Sequence, residues 1–355
     1  MKIGIIGLPQ AGKKNLFSLL TGNDLQEQTV AKPIPGVADI QDPRFDKLVS
    51  LYQPARQEHA RINLLLLPKL EKENIARGDI FADIADADGL CLVVRAFVDD
   101  AIYHPDGSVN PLRDTLAVHS ELIMHDQIFV EKRIERLEKS QKKQKTDKQE
   151  AELVLMRKFQ THLEKERPLR LLALSDEEET LILSYPFLTK KELLVVFNVS
   201  EDMLNTTKML EEAADFCQEQ KVEAMQVCTQ VESEIALLDS EEERLAFMAD
   251  LGIETPALTQ MTRLCLKALG LISFFTVGKD EVRQWLVKKD ATAPEAAGVI
   301  HSDLQRGFIR AEQMSYSDLL AAGGEAELKK EGKIYLQGKN YLVADGDILN
   351  IRFKV

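Results

Sequence analysis

The stretch Met1-Lys-Ile-Gly-Ile-Ile-Gly-Leu-Pro-Gln-Ala-Gly-Lys13 decides the fold of this chain. Its apolar residues Ile3–Ile6 predict a short strand. Gly7, four further residues, Gly12 and a lysine then follow at the spacing G-x-x-x-x-G-K of a phosphate-binding loop. Glycines let backbone N–H groups converge on phosphate oxygens, while a helix N-terminus and a lysine add favourable charge. The alternative is a glycine-containing turn between a strand and a helix that binds no ligand.

The residue after this loop departs from the motif. Apolar side chains at helical spacing predict that a helix begins over Lys14–Leu20, the context that the motif requires. The motif has Ser or Thr after its lysine to bind Mg²⁺, whereas this chain has Lys14 and then Asn15. We expect Gln10 and Ala11 to complete the phosphate cradle. Lys14 either turns its side chain to solvent or places its ammonium group where Mg²⁺ would lie.

The composition is that of a globular protein with two to three domains: 355 residues, 45% of them hydrophobic and 29% charged. A net charge of -13 argues against broad, charge-driven nucleic-acid binding, so we expect no DNA partner. We find neither a signal peptide nor an apolar run of membrane-spanning length, which predicts a cytoplasmic protein without a membrane partner. Four widely spaced cysteines predict reduced, buried thiols.

Apolar runs separated by helical segments predict a parallel α/β sheet that is covered on both faces. Ligands of such sheets bind at the carboxyl ends of the strands, and Gly7, Pro68 and Ala96 each follow a strand. The predicted strands are Ile3–Ile6, Arg61–Leu67, Gly89–Arg95, Leu193–Phe197 and Ala224–Cys228.

The segment 112–170 differs from the rest of the chain, because it is rich in charged residues and its apolar residues are sparse. We predict two antiparallel helices, a coiled-coil hairpin inserted into the α/β domain. Its polar tip is the lysine-rich run from Lys139 to Lys148. This run is either a solvated helix end or a contact patch for RNA or another anionic surface.

The segment 272–355 combines predicted strands with a helix over Ala293–Ile300, which favours a small α+β domain. A closing hairpin is predicted over Lys333–Val355. Asp345-Gly346 would form its turn, because Asp-Gly between apolar runs is a strong hairpin signal.

Several motifs of this segment point to one family. They are Phe275-Thr-Val-Gly278, Glu281-Val-Arg-Gln-Trp285, Ala291-Thr-Ala-Pro294, Val299-Ile-His-Ser-Asp303, Gly307-Phe-Ile-Arg-Ala-Glu312 and Asp345-Gly-Asp347, with Asp42-Pro-Arg44, Val94-Arg-Ala-Phe97 and the stretch from Phe187 to Asn198 upstream. Together they resemble the Obg-like ATPases, or YchF family, of the translation-factor class of P-loop proteins. The resemblance covers essentially the whole chain.

The resemblance implies a P-loop NTPase sheet at 1–111 and 171–271, a coiled-coil hairpin at 112–170, and a C-terminal TGS (ubiquitin-like) domain at 272–355. It also implies ATP binding and association with ribosomes. The nucleotide-binding residues would be Gly7, Gln10, Ala11, Gly12, Lys13, Lys14 and Asn15 on the phosphate side, and Asn198, Val199, Glu201 and Thr229 on the base side.

The base side carries N-x-x-E, Asn198 to Glu201, where true GTPases have N-K-x-D. Loss of the aspartate removes guanine selectivity, and an asparagine amide can pair with the N6 and N7 edge of adenine. The alternative for Asn198 is a cap of the following helix. Thr229 and Gln230 either line the base pocket or are ordinary loop residues.

The chain also departs from the family pattern. The family's Asp-x-x-Gly element, which holds Mg²⁺ and senses the γ-phosphate, aligns with Leu66-Leu-Pro-Lys69, and the glycine-rich segment after it is shortened to Glu71–Gly78. The switch threonine falls near Thr29-Val30 without a clear match. Because Lys14 replaces the loop serine, three metal or switch contacts are lost together, and phosphoryl transfer depends on both.

We therefore predict a purine-nucleotide-binding protein that prefers ATP over GTP and has weak or lost Mg²⁺-dependent hydrolysis, with Mg²⁺ binding itself left open. Its partners would be ribosomes or RNA, contacted through the coiled-coil tip and the TGS domain. One alternative is a nucleotide-free interaction protein. Another is an active ATPase whose metal is held by Asp83 or Asp86; no catalytic residue is assigned.

Overall fold

The computed structural model describes residues 2–25, 29–70, 79–141, 146–204 and 210–354. The chain forms two compact units, one of Met1–Val37 with Asn63–Ala257 and one of Ala38–Ile62 with Leu258–Val355. These differ from the expected domains, which placed 38–62 with the nucleotide-binding part and began the C-terminal part at residue 272. No described helix is long and apolar enough to cross a membrane.

The described strands are β1 Lys2–Ile6, β2 Ile34–Asp39, β3 Arg56–Glu58, β4 Arg61–Leu66, β5 Gly89–Arg95, β6 Glu192–Asn198, β7 Glu223–Val227, β8 Leu271–Thr276, β9 Glu281–Lys288, β10 Phe308–Ser315, β11 Tyr335–Gln337 and β12 Asp347–Phe353. The described α-helices are α1 Lys13–Thr21, α2 Pro43–Tyr52, α3 Asp79–Ala85, α4 Pro111–Gln141, α5 Asp147–Leu163, α6 Asp176–Ile182, α7 Glu211–Glu219, α8 Thr229–Leu237, α9 Glu241–Asp250, α10 Ala257–Ala268, α11 Ala293–Ile300, α12 Ser302–Arg306, α13 Tyr316–Ala322 and α14 Glu325–Lys330. Short 3₁₀ helices cover Leu169–Leu171 and Glu201–Met203.

The first sheet has the strand order β2-β4-β1-β5-β6-β7. Strand β1 pairs in parallel with β4 and β5, and β6 pairs in parallel with β5 and β7. Every residue of β5 is buried, and so are all residues of β6 after Glu192, as expected for strands covered on both faces. This confirms the predicted α/β class, and it brings Gly7, Ala96 and Asn198 to one edge of the sheet.

The predicted helical hairpin is formed by α4 and α5. Gln127 Nε2 donates to the Leu163 carbonyl at 2.9 Å near one end, and Gln149 Nε2 donates to Ser140 Oγ at 3.2 Å near the other, so the helices run antiparallel. The apolar seam between them includes Val130, Leu137, Leu155, Met156, Phe159 and Leu163. Three lysines of the predicted basic tip, Lys142, Lys143 and Lys145, lie outside the described residues, as do Glu71–Gly78.

The second unit contains a sheet with the order β11-β10-β12-β8-β9-β3. Helix α11 covers one face through Ala293, Ala296 and Ala297, which pack with Phe274 and Phe308. The predicted α+β character is thus confirmed, and helix α11 has the predicted bounds.

The closing hairpin predicted for the second unit is wrong. Strands β11 and β12 do not pair with each other; each pairs antiparallel with β10, one on either side. Residues near Tyr341 contribute only a single bridge, between Thr292 and Leu342. Asp345-Gly346 precedes β12, with Gly346 at φ +91°, but it does not connect two paired strands. Asp-Gly therefore indicates a turn, but it does not indicate which strands pair on either side of that turn.

The segment 38–62 contributes helix α2 and strand β3 to the second unit. Phe45 and Leu48 are fully buried against Phe275 and Ile348, and burial of each side chain stabilises the unit by about 2 kcal/mol. Strand β3 pairs in parallel with β9. The segment runs from the end of β2 to the start of β4, two strands of the first sheet, so its apolar residues alone do not indicate which unit they join.

Candidate nucleotide-binding site

The first glycine of the phosphate-binding loop lies where the chain leaves β1 and passes close to β5. Gly7 has φ +152°, and a Cβ at this position would lie 2.4 Å from the carbonyl oxygen of Val93. A side chain would therefore collide with the backbone of the neighbouring strand. The loop can follow this path only with glycine.

The second glycine begins helix α1. Gly12 is left-handed, with φ +95°, and a Cβ there would lie 2.2 Å from Nδ2 of Asn198. No side chain caps the helix, and its first turn contains no acidic residue. A helix N-terminus without a side-chain cap, with the positive end of the helix dipole, is suited to an anionic ligand.

Lys13 is buried, with 7% of its surface exposed, and its Nζ donates to the carbonyl oxygen of Gly7. The ammonium group of Lys13 therefore lies within the loop. Gln10 adopts φ +60°, so two successive turns in the left-handed region, at Gln10 and Gly12, shape the loop. This is the concave backbone geometry that binds phosphate.

Asn198 connects the ends of three elements at the floor of the site. The side chain is 3% exposed; its Nδ2 donates to the Ala11 carbonyl at 3.2 Å, and its Oδ1 accepts from the Thr229 backbone N–H at 3.2 Å. The amide is thereby fixed between the phosphate loop and the start of helix α8. Among the described residues the amide has these two partners, which leaves one N–H and one lone pair, since an amide has two of each.

A cleft of about 1070 Å³ opens above this floor, within the first unit. It brings together nine of the predicted residues and Gln230, while Gly7 lies beneath the loop and Glu201 is exposed outside the lining. The predicted residues that line it are Gln10, Ala11, Gly12, Lys13, Lys14, Asn15, Asn198, Val199 and Thr229.

Several parts of the lining were not among the predicted binding residues. They include the loop Phe97–Asp99 with Ile102 after β5, the face of helix α8 formed by Ser233, Ala236 and Leu237, and residues Ser18, Leu19, Gly22, Asn23 and Asp24 at and after the end of helix α1. The helix face continues from Thr229 at intervals of three to four residues, a helical period visible in the sequence. The loop after β5 was expected at this edge of the sheet, since Ala96 follows a buried strand, but its residues from Phe97 onwards were not assigned to the site.

Arg95 holds the missed loop in place. Its buried guanidinium donates to the carbonyl oxygens of Phe97 at 3.1 Å, Asp99 at 3.0 Å and Ile102 at 3.1 Å, and it lies over the Phe97 ring. A charge in the interior requires such partners. Arg95 therefore positions one wall of the cleft without lining it.

The phosphate-binding loop fits the phosphates of a nucleotide, but the residues at the motif's metal-binding positions do not fit the Mg²⁺ ion that the motif usually binds. The position of the metal-binding Ser or Thr carries Lys14, and Leu66 and Leu67, which are fully buried, stand at the end of β4. Mg²⁺ requires oxygen ligands in near-octahedral geometry. These three side chains offer none.

Other carboxylates do not replace the missing ligands at these positions. Among the described residues no group of three or more His, Cys, Asp or Glu side chains is placed to hold a metal ion. Asp83 and Asp86, the alternative ligands considered above, are absent from the cleft lining, and Asp86 is exposed and pairs with Lys2 at 2.6 Å. The described lining contains two carboxylates, Asp24 and Asp99.

Comparisons of both the sequence and the structure with known proteins point to one family. A family model described as YchF-GTPase_C, protein of unknown function (DUF933), matches residues 271–354. The chain is 38% identical to the ribosome-binding ATPase YchF of Bacillus subtilis over 99% of both chains, and 34% identical to the Obg-like ATPase 1 of Caenorhabditis elegans over 99% of this chain and 92% of that one. The structure of the Schizosaccharomyces pombe YchF GTPase superposes with a TM-score of 0.83 at 29% identity, covering 99% and 97% of the chains. The chain therefore belongs to the YchF family of Obg-like ATPases.

Proposed function

We propose that the chain binds a purine nucleotide in the cleft, prefers ATP over GTP, and has weak or lost Mg²⁺-dependent hydrolysis. The observation that carries this proposal is the composition of the lining: a glycine loop, an uncapped helix N-terminus and Lys13 lie beside Lys14, Leu66 and Leu67. The first group favours phosphate binding. The second removes the oxygen ligands on which metal-assisted phosphoryl transfer depends.

The preference for ATP rests on the base side of the cleft. GTPases use a carboxylate to pair with the N–H groups of guanine, but Glu201 is exposed and absent from the lining. The Asn198 amide keeps one N–H and one lone pair, which match the acceptor and donor of the adenine N7 and N6 edge.

The proposal extends to translation. Relatives that match the whole chain are named ribosome-binding ATPases, which supports association of this chain with ribosomes. The lysine-rich tip of the α4–α5 hairpin supplies cations on an otherwise acidic protein, and such clusters bind phosphate backbones.

Isothermal titration calorimetry with ATP, ADP and GTP, each with EDTA and with Mg²⁺, tests the nucleotide proposal. We expect tighter binding of ATP than of GTP. A Lys13→Ala variant should weaken binding of all three, because it removes the charge inside the loop. Absence of binding by any of the three nucleotides would instead favour the alternative of a nucleotide-free interaction protein.

A further inference from the structure

Lys14 occupies the position from which P-loop proteins coordinate Mg²⁺. It is the second residue of helix α1, half-buried, and it lines the cleft directly after Lys13. Lys69, at the place of the family's γ-phosphate-sensing glycine, lines the same cleft. Three lysines, Lys13, Lys14 and Lys69, thus line the cleft, together with the carboxylates of Asp24 and Asp99.

The end of strand β4 contributes apolar side chains to the lining of the same cleft. Leu66, the last residue of β4, and Leu67 after it have 0% of their surface exposed, and Leu66 offers hydrocarbon where other P-loop proteins place an aspartate. Mg²⁺ gives up its bound water reluctantly and needs oxygen ligands in return. A nucleotide-bound Mg²⁺ would gain no protein ligand from these positions, and it would approach the ammonium group of Lys14.

From this arrangement we propose that the cleft selects the metal-free nucleotide polyphosphate and that Mg²⁺ antagonises its binding. The proposal rests on the proposed function, since it concerns the same site. Free ATP carries more negative charge than its Mg²⁺ complex, and a lining whose three lysines outnumber its two carboxylates, beside a helix N-terminus, favours the more highly charged form. The ammonium group of Lys14 neutralises phosphate charge, and its like charge repels the ion.

The test is a fluorescence titration with an ATP analogue at a series of free Mg²⁺ concentrations, from EDTA-chelated to millimolar, at constant ionic strength. Because only uncomplexed nucleotide binds, the apparent Kd should rise in proportion to the ratio of total to metal-free nucleotide. All wild-type curves should then coincide when plotted against the concentration of metal-free nucleotide. A rise of about tenfold or more is expected once most of the nucleotide is complexed.

Three variants separate the role of Lys14 from general charge effects. Lys14→Ser restores the motif residue and should abolish or reverse the Mg²⁺ dependence. Lys14→Arg keeps the positive charge and should therefore keep the Mg²⁺ dependence of the wild type. Lys279→Gln, at an exposed position in the second unit, removes one positive charge elsewhere and should behave as the wild type.

The outcomes distinguish this inference from the function on which it rests. Nucleotide binding that is unchanged or strengthened by Mg²⁺ would overturn the inference and leave the proposed function standing. Mg²⁺ antagonism that persists in Lys14→Ser would overturn the role of Lys14. If the wild type has a native circular dichroism spectrum but does not bind the ATP analogue at any Mg²⁺ concentration, the proposed function and the inference are overturned together.

Discussion

The Nδ2 atom of Asn198 donates a hydrogen bond to the carbonyl oxygen of Ala11 at 3.2 Å. This bond joins the end of strand β6 to the phosphate-binding loop, and the same amide accepts from the backbone of Thr229. Asn198 is therefore a structural connector of the loops that form the cleft floor, in addition to any contact with a base. The helix-cap role considered from the sequence is not seen, because the short helix that follows β6, Glu201–Met203, has Ser200 at its N-cap and the Asn198 amide bonds to Ala11 and Thr229.

Replacement of Asn198 with alanine should weaken both the fold and the site. The substitution leaves the buried Ala11 carbonyl and the Thr229 N–H without these partners, so we expect a loss of about 1–3 kcal/mol in the free energy of unfolding. Denaturant unfolding measures the loss, with Asn63→Ala, at an exposed strand position, as the matched control. Equal stability of the two variants would contradict the connector role.

Gly12→Ala should disrupt the loop more than an equivalent change elsewhere. The added Cβ would lie 2.2 Å from Asn198 Nδ2, and φ +95° is itself unfavourable for alanine. Gly107 has a similar φ of +74° but open space around its Cβ, so Gly107→Ala costs about 1 kcal/mol of backbone strain alone. Thermal unfolding should show Gly12→Ala clearly less stable than Gly107→Ala; the reverse order would refute the steric argument.

Restoring two of the missing metal ligands together should affect stability differently from restoring the aspartate alone. Leu66→Asp places a carboxylate in a fully buried position and should destabilise the protein, because an unpaired buried charge is costly. Combined with Lys14→Ser, it should regain stability with ATP and Mg²⁺ but not with ATP and EDTA. Thermal shift measurements test this.

The wild-type turnover should be below about one ATP per second, the low end of ordinary enzymes. The double variant should hydrolyse ATP faster than either single variant, since the two residues serve one ion. Phosphate release, with Lys13→Ala as the background, measures both. Fast wild-type turnover would show that another set of residues supports the chemistry.

Neutralising the hairpin tip should weaken ribosome association. We propose changing Lys139, Lys142, Lys143, Lys145 and Lys148 to glutamine and, as the matched control, to arginine, which keeps the charge. The glutamine variant should cosediment less with ribosomal subunits, and its binding should depend less on salt, because fewer counterions are released. Indistinguishable sedimentation of the two variants would leave the tip with no role in binding.

His119 should make the first unit less stable below about pH 6.5. Burial, and secondarily the charge of Arg170, lower the pKa of His119 to about 4, and its Nε2 is buried without a hydrogen bond among the described residues. The unfolded chain takes up this proton near pH 6.5, so the stability contribution is complete above that pH and is lost as the pH falls towards 4. The loss is at most about 3 kcal/mol.

The test is to measure the free energy of unfolding of the wild type and of His119→Gln from about pH 7 to about pH 4. This range spans the two pKa values of His119, in the unfolded and the folded chain. The variant should lose less stability across the window. His301→Gln, at an exposed position, should follow the wild type. Parallel pH profiles for wild type and His119→Gln would contradict the prediction.

The local features of the site were readable from the sequence because they depend on local backbone conformation. The spacing of Gly7 and Gly12 after an apolar strand determines the loop, and the apolar runs of β5 and β6 indicate a sheet covered on both faces. Helix α11 likewise begins at the residue predicted, since its Thr292 N-cap and Glu295 form a capping box. Each signal lies within a few residues of the element that it specifies.

The partners of these elements were decided only in the tertiary structure. Arg95 arranges a cleft wall through carbonyl groups that any sequence would provide, and Asn198 is engaged by Ala11, 187 positions away in the chain. Residues 38–62 join the C-terminal unit because Phe45 and Leu48 fit its core, and β12 pairs with β10 in place of the predicted hairpin. Apolar and turn-forming residues determine that a segment must be buried or must turn, whereas shape complementarity across the folded chain determines against what.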